Sequence, residues 1–179
     1  MLDDDFGVVE PAARRVGIGL RPAVEPWELQ TPFSLTELTP TTAGPLRVHM
    51  QNLEQGYSIG TLLTNQTRIL WVVTDDGRLL LAVEELTQNS RPTGHPYCRQ
   101  HPYFGNWPKL GHPSLVNGVP ARIAGELYFD ANGSPTQPRW YISNNSGRYS
   151  WQPSRRRTHL ENVRDVFASY QIPLTIDWI

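Results

Sequence analysis

The strongest hydrophobic pattern in this chain lies between Arg68 and Leu86. There the runs Ile69-Leu70-Trp71-Val72-Val73 and Leu79-Leu80-Leu81-Ala82-Val83 flank Asp75-Asp76-Gly77. Two β-branched or aliphatic runs around an aspartate-glycine pair predict a hairpin with both strands buried on most of their surface, because that pair accepts the positive φ a primed turn requires. Arg122 to Phe129 and Arg139 to Ser143 predict a second strand pair. Ile123, Leu127 and Phe129 share one face of it and Ala124, Glu126 and Tyr128 the other. The linking segment, with Asn132-Gly133 and two prolines, reads as a loop. Thr158 to Gln171 predicts the best helix: Thr158 and Glu161 have capping-box spacing, Leu160, Val163, Phe167 and Tyr170 recur at helical intervals, and Pro173 stops it. Leu174 to Ile179 alternates and predicts a final strand tied into the sheet.

The first 45 residues read differently. Pro11, Pro22, Pro26, Pro32, Pro40 and Pro45 each remove a donor and restrict the preceding residue, so regular structure there is expected to be short. This predicts a proline-rich N-terminal arm over residues 1–45, wrapped on the core or partly disordered, or else a delivery or docking segment. Trp27, Phe33 and Leu35 point to some packing. Residues 46–179 are then a single globular α+β domain, an antiparallel sheet built from hairpins with a C-terminal amphipathic helix.

At 179 residues and 39% hydrophobic content the chain can bury a core without staples. Sixteen basic side chains balance seventeen acidic ones, so no overall field selects a nucleic acid or an anionic membrane as partner. The lone Cys98 excludes an internal disulfide framework. Met1-Leu2-Asp3-Asp4-Asp5 is acidic where a signal peptide is basic, and no apolar run reaches the roughly 18 residues of a spanning helix. The expectation is a cytoplasmic protein, or one exported without a signal peptide, with no membrane segment.

Two segments hold reactive side chains. His95, Cys98 and His101 are spaced by three and followed by His112, among Tyr97, Tyr103, Phe104 and Trp107. Thiolate and imidazole are zinc ligands, so His95, Cys98 and His101 could hold one ion, and Cys98 beside a histidine could be a nucleophile. An aromatic loop packed on its own side chains accounts for the same residues. The second segment runs from His112 to Tyr149. Glu126, opposite the apolar face of its strand, either meets solvent or projects into a pocket, and Asn144-Asn145-Ser146-Gly147-Arg148-Tyr149 is a polar loop near it. A carboxylate beside an arginine, a serine and a tyrosine can position a nucleotide or ribose, or act as general base. Arg155-Arg156-Arg157 is a local basic patch, readable as a solvated connector or as a phosphate or nucleic-acid contact, the latter not favoured.

His112-Pro113-Ser114-Leu115, Gly118-Val119-Pro120, Ala124-Gly125-Glu126-Leu127, Ile142-Ser143-Asn144 and Ser146-Gly147-Arg148-Tyr149 form a motif series. Over residues 112–172 it resembles the C-terminal domains of bacterial polymorphic toxins and secreted effectors. Their pattern is a histidine-containing turn, an Ala-Gly-Glu strand and an asparagine followed by a Ser-Gly-His-Tyr loop. This chain carries Arg148 where that pattern has histidine, and its next proline is Pro153. An arginine cannot exchange its proton, so Arg148 cannot replace a histidine acid or base. The resemblance implies a toxin or effector context, and the residue types of His112, Glu126, Ser146, Arg148 and Tyr149, the candidate catalytic residues, suit a catalytic domain acting on a nucleotide-linked or protein substrate, its cofactor left open. The alternative is a non-catalytic protein-binding module, such as an immunity protein, adaptor or assembly component. A protein partner is expected under either reading. A metal- or thiol-dependent hydrolase centred on Cys98 is a third.

Overall fold

A computed structural model describes residues 1–17, 19–56, 67–89, 91–97, 108–132 and 139–179. Its centre is a six-stranded sheet. Strands β3 (Thr36–Glu37), β4 (Ile69–Val73), β5 (Leu79–Val83), β8 (Ile123–Phe129), β9 (Trp140–Ser143) and β10 (Thr175–Asp177) run in the order β10-β9-β8-β4-β5-β3. All neighbours pair antiparallel except β10 with β9. The expected α+β class therefore holds, and both predicted strand pairs form.

Why the first hairpin closes differs in one detail from the expected primed turn. Thr74 N–H donates to Arg78 C=O at 2.9 Å and Gly77 N–H to Thr74 C=O at 3.1 Å, leaving Asp75-Asp76-Gly77 as a three-residue loop. Only Gly77 takes positive φ, at 87°. This is a turn ending in a left-handed residue, which glycine occupies without a Cβ penalty.

Side chains alternate across the sheet. Trp71 and Val73 of β4 and Ile123, Leu127 and Phe129 of β8 face one core, shared with Met50, Leu53, Leu160, Val163 and Phe167. Two helices supply that layer, α2 (Pro40–Glu54) and α3 (Arg157–Ser169). The expected capping box at Thr158 and Glu161 is not the one used. Helix α3 starts one residue earlier, Arg156 is its N-cap, and His159 Nδ1 accepts the Arg156 N–H at 3.2 Å. Glu161 instead pairs with Arg157 at 3.1 Å, one turn along the surface.

Helix α2 crosses the boundary expected at residue 45, and regular structure in this region is longer than the prolines suggest. Thr39 caps it, accepting from Thr42 N–H at 3.3 Å, so Pro40 occupies the first helical position, where no donor is needed. Pro45 does sit inside and forfeits one backbone bond, offset by burial of Ala43, Met50 and Leu53. The rest of the arm is also structured: α1 (Leu2–Phe6), the hairpin β1 (Ala13–Val16) with β2 (Gly19–Pro22), a 3₁₀ turn at Pro26–Leu29, and β3 at the sheet edge. Helix α1 packs on α3, with Phe6 and Leu38 joining the first core, while Ala12 and Leu35 reach the opposite face of the sheet, where Leu70, Val72, Leu80, Ala82, Leu115, Val116, Ala121, Ala124 and Tyr149 complete a second, smaller core. A separate hairpin, β6 (Glu85–Gln88) with β7 (Arg91–Pro96), extends from β5. The buried carboxylate of Glu85 holds the arm against it, accepting from Ser34 N–H at 2.8 Å and Phe33 N–H at 3.2 Å.

Two buried arginines tie the chain start down. Arg122 donates to Gly7 C=O at 2.8 Å and pairs with Asp3 at 2.5 Å. Arg155 donates to Tyr149 C=O and Val8 C=O, each at 3.0 Å, and pairs with Glu10 at 3.1 Å. Arg155 is thus a buried hub rather than part of a solvated connector, while Arg156 and Arg157 are exposed. Burial, opposed by Glu10 and aided by Arg122, pulls its guanidinium pKa down to about 10. No helix among the described residues is long and apolar enough to cross a membrane.

Candidate functional site

On the face opposite the helices the second core leaves a cleft of about 600 Å³. The arm contributes Arg14, Glu25, Trp27 and Glu28, the 3₁₀ turn His112–Val116 contributes His112, strand β8 contributes Glu126, and the loop after β9 contributes Asn145, Gly147 and Arg148. Glu84, Tyr97 and Lys109 complete it beside the β6–β7 hairpin.

Of the two readings of Glu126, the pocket is the one found: it is buried, and its carboxylate lies 3.6 Å from Arg68 Nε. Arg68 also sits 5.0 Å above the ring of Tyr128, which in turn stacks on Tyr141 across the strands. Gly125, just before Glu126, has no room for a Cβ, which would collide with the Ser143 carbonyl and with Trp71. Its own carbonyl accepts from His112 Nε2 at 2.8 Å. That bond puts the hydrogen on Nε2, so in the neutral ring Nδ1 is the basic nitrogen.

Arg148 is held by a residue the sequence reading missed. Its Nη2 lies 3.2 Å from Oε2 of Glu28, a buried carboxylate of the 3₁₀ turn Pro26–Leu29 that also accepts Glu25 N–H at 2.8 Å. Glu28 packs so closely on Gly111 that a Cβ there would collide with it. One carboxylate therefore links the arm to the segment before His112 and to the loop bearing Arg148. Among the described residues the buried Nε of Arg148 has no hydrogen-bond partner.

Ser146 and Tyr149 lie beside the cleft rather than in its lining. Ser146 Oγ accepts from Arg148 N–H at 3.3 Å and Tyr149 N–H at 3.2 Å, the geometry by which a serine closes a tight turn. Tyr149 is fully buried in the second core, and its hydroxyl donates to Val119 C=O at 3.0 Å. Burial, with Glu28 adding to it and Arg148 opposing, pushes that hydroxyl well above the ordinary tyrosine range, so it stays protonated. Asn144 pins the last strand, exchanging bonds with the Ile179 backbone at 2.8 and 3.1 Å.

His95, of the alternative metal or thiol site, is exposed on β7; Cys98 and His101 lie outside the described residues. Among the described residues no group of three histidine, cysteine or acidic side chains is placed to hold a metal ion.

Glu84 pairs with Lys109 at 2.7 Å, and Lys109 lies 4.3 Å above the Tyr97 ring. Glu25 pairs with Arg14 at 2.9 Å. Ion pairs of this kind, with at least one partly exposed member, contribute little net stability, about 0–1 kcal/mol each, because water screens the exposed charge and desolvation offsets the attraction of the deeper one. Their concentration around one concavity is a feature of sites rather than of cores. No protein-family model matches this chain, and no curated protein or solved structure matches it either.

Proposed function

We propose that this chain is a toxin- or effector-like catalytic domain acting on a nucleotide-linked or protein substrate, with the charged cleft as its site. The observation that carries this reading is the meeting of His112, Glu126 and Arg148, from three separate segments, in one concavity. Glu126 is the candidate general base, a carboxylate shielded from water on the sheet face. Arg148, a permanent cation that Glu28 holds through Nη2, is the candidate substrate-binding group. His112 has its tautomer set by the Gly125 carbonyl and its Nδ1 as the proton-accepting atom. Ser146 and Tyr149 serve by shaping the loop that presents Arg148.

The test is induced expression in a bacterial cytoplasm. Wild-type protein is expected to arrest growth and Glu126→Gln to relieve the arrest while melting at the same temperature. Arrest that persists in a folded Glu126→Gln protein overturns the site. A second reading, a non-catalytic protein-binding module, is favoured by exposed Val24 and Leu29, which meet at Gly118 beside exposed Val119. Harmless wild-type expression together with a tightly co-purifying protein would select it.

A further inference from the structure

Three ion pairs lining the cleft, and the pair that Glu126 of its wall makes with Arg68 outside the lining, share an asymmetry that the proposed function does not use. In each, the carboxylate is the deeper member. The side chains of Glu28, Glu84 and Glu126 are 4%, 4% and 6% exposed, against 15%, 37% and 24% for Arg148, Lys109 and Arg68. The same order holds for Glu25 at 33% and Arg14 at 51%. Three acceptor-only carboxylates, Glu28, Glu84 and Glu126, therefore lie within, and the guanidinium and ammonium groups lie further out with Glu25 among them.

A ligand matched to such layering carries hydrogen-bond donors at its inner end and negative charge at its outer end. Sugar hydroxyls meet the first requirement, since each can donate to a carboxylate oxygen. Phosphates meet the second, since Arg14, Lys109 and Arg148 line the opening and arginine forks match phosphate oxygens. The half-buried Trp27 on the same wall offers apolar surface to a ring. At about 600 Å³ the cleft lies in the usual range for small-molecule sites. A nucleic acid strand fits less well, because its backbone would bring phosphates past the deep carboxylates.

We infer that the cleft binds a phosphorylated riboside, ribose inward on Glu126 and Glu84 and phosphates outward on Lys109 and Arg148. This deepens the proposed function and rests on its choice of cleft. ADP-ribose is a suitable probe, because it presents a terminal ribose and a pyrophosphate; adenosine, lacking phosphate, is the control.

The experiment is titration calorimetry of the full chain with both compounds at 50 and 200 mM salt. ADP-ribose is expected to bind at least tenfold more tightly than adenosine, and to lose affinity at the higher salt. Lys109→Ala, on a partly exposed side chain, is expected to weaken ADP-ribose about tenfold and adenosine by less than threefold, since adenosine senses only the altered partner of Glu84. Glu126→Gln is expected to weaken both. Equal binding of the two compounds, or ADP-ribose binding indifferent to Lys109→Ala, overturns the inference. So does the absence of ADP-ribose binding at millimolar concentration. If that absence accompanies growth arrest that still depends on Glu126, only the ligand assignment fails; if the arrest is independent of Glu126, the functional reading fails with it.

Discussion

The two faces of the central sheet are covered by different materials. On one, α2 and α3 lay Met50, Leu53, Leu160, Val163 and Phe167 over Trp71, Ile123, Leu127 and Trp140. On the other, the arm beyond α1, the His112 turn and the loop after β9 meet a floor containing Ala82, Ala121 and Ala124, and are held by directional bonds that Arg155 donates and Glu28 and Glu85 accept. The helical face draws its stability from buried apolar area, which is insensitive to small rotations of a side chain. The loop face depends on satisfied polar groups, each of which costs free energy when its partner is removed. A cleft fits only the second kind of cover, because loops held at points leave space between them where helices packed along their length do not.

The comparison breaks most readily at Phe167. Phe167→Ala, which empties a fully buried position under the helices, is expected to cost about 3–5 kcal/mol in urea unfolding. A loss below about 1 kcal/mol would mean that this face is not close-packed. Arg155→Met is expected to cost about 2–4 kcal/mol, since it takes their donor from the Tyr149 and Val8 carbonyls and leaves Glu10 with Ser154 in place of a cation. Faster amide exchange over residues 1–10 is its expected signature, and unchanged exchange would show that the arm is held by packing instead.

Tyr149→Phe sharpens the contrast between site and scaffold. It deletes the bond to Val119 C=O, so a loss of about 1 kcal/mol with growth arrest retained is expected. Arrest abolished at unchanged stability would move Tyr149 into the chemistry.

The smallest effect concerns pH. Burial, with Arg155 and Arg156 adding to it, lowers the His159 pKa below its ordinary 6.5. Below pH 6.5 the unfolded chain binds a proton that the folded chain resists, so stability contributed by neutral His159 is full above that pH and falls as the solution is acidified. His159→Gln, whose side-chain oxygen can still accept at this helix position, is expected to flatten that acid limb slightly. An unaltered slope between pH 6.5 and 5 would assign the limb to other groups, among them His49, whose pKa burial also lowers.

Legibility in the sequence follows the same division. Strands β4, β5, β8 and β9, the last strand and helix α3 are local patterns: residues two or three to four apart must share a face wherever the chain folds, so their spacing states the element. The split of β8 into an apolar face and a face bearing Glu126 could be read for the same reason. Helix α2 could not, because Pro40 and Pro45 argue against a helix locally and the burial that outweighs them involves strands far along the chain. Nor could Glu28, which lies 120 positions before Arg148; no period links such residues, and only the folded arm brings that carboxylate to the cleft. The burial of Glu126 and Arg155 was decided in the same way, since a charged residue reads as exposed until opposite charges and carbonyls from other segments surround it. What the chain's own order determined is which residues face together. Which faces meet, and that a layered ion-pair cleft survives between them, only the tertiary structure decided, because burial is a property of distant neighbours.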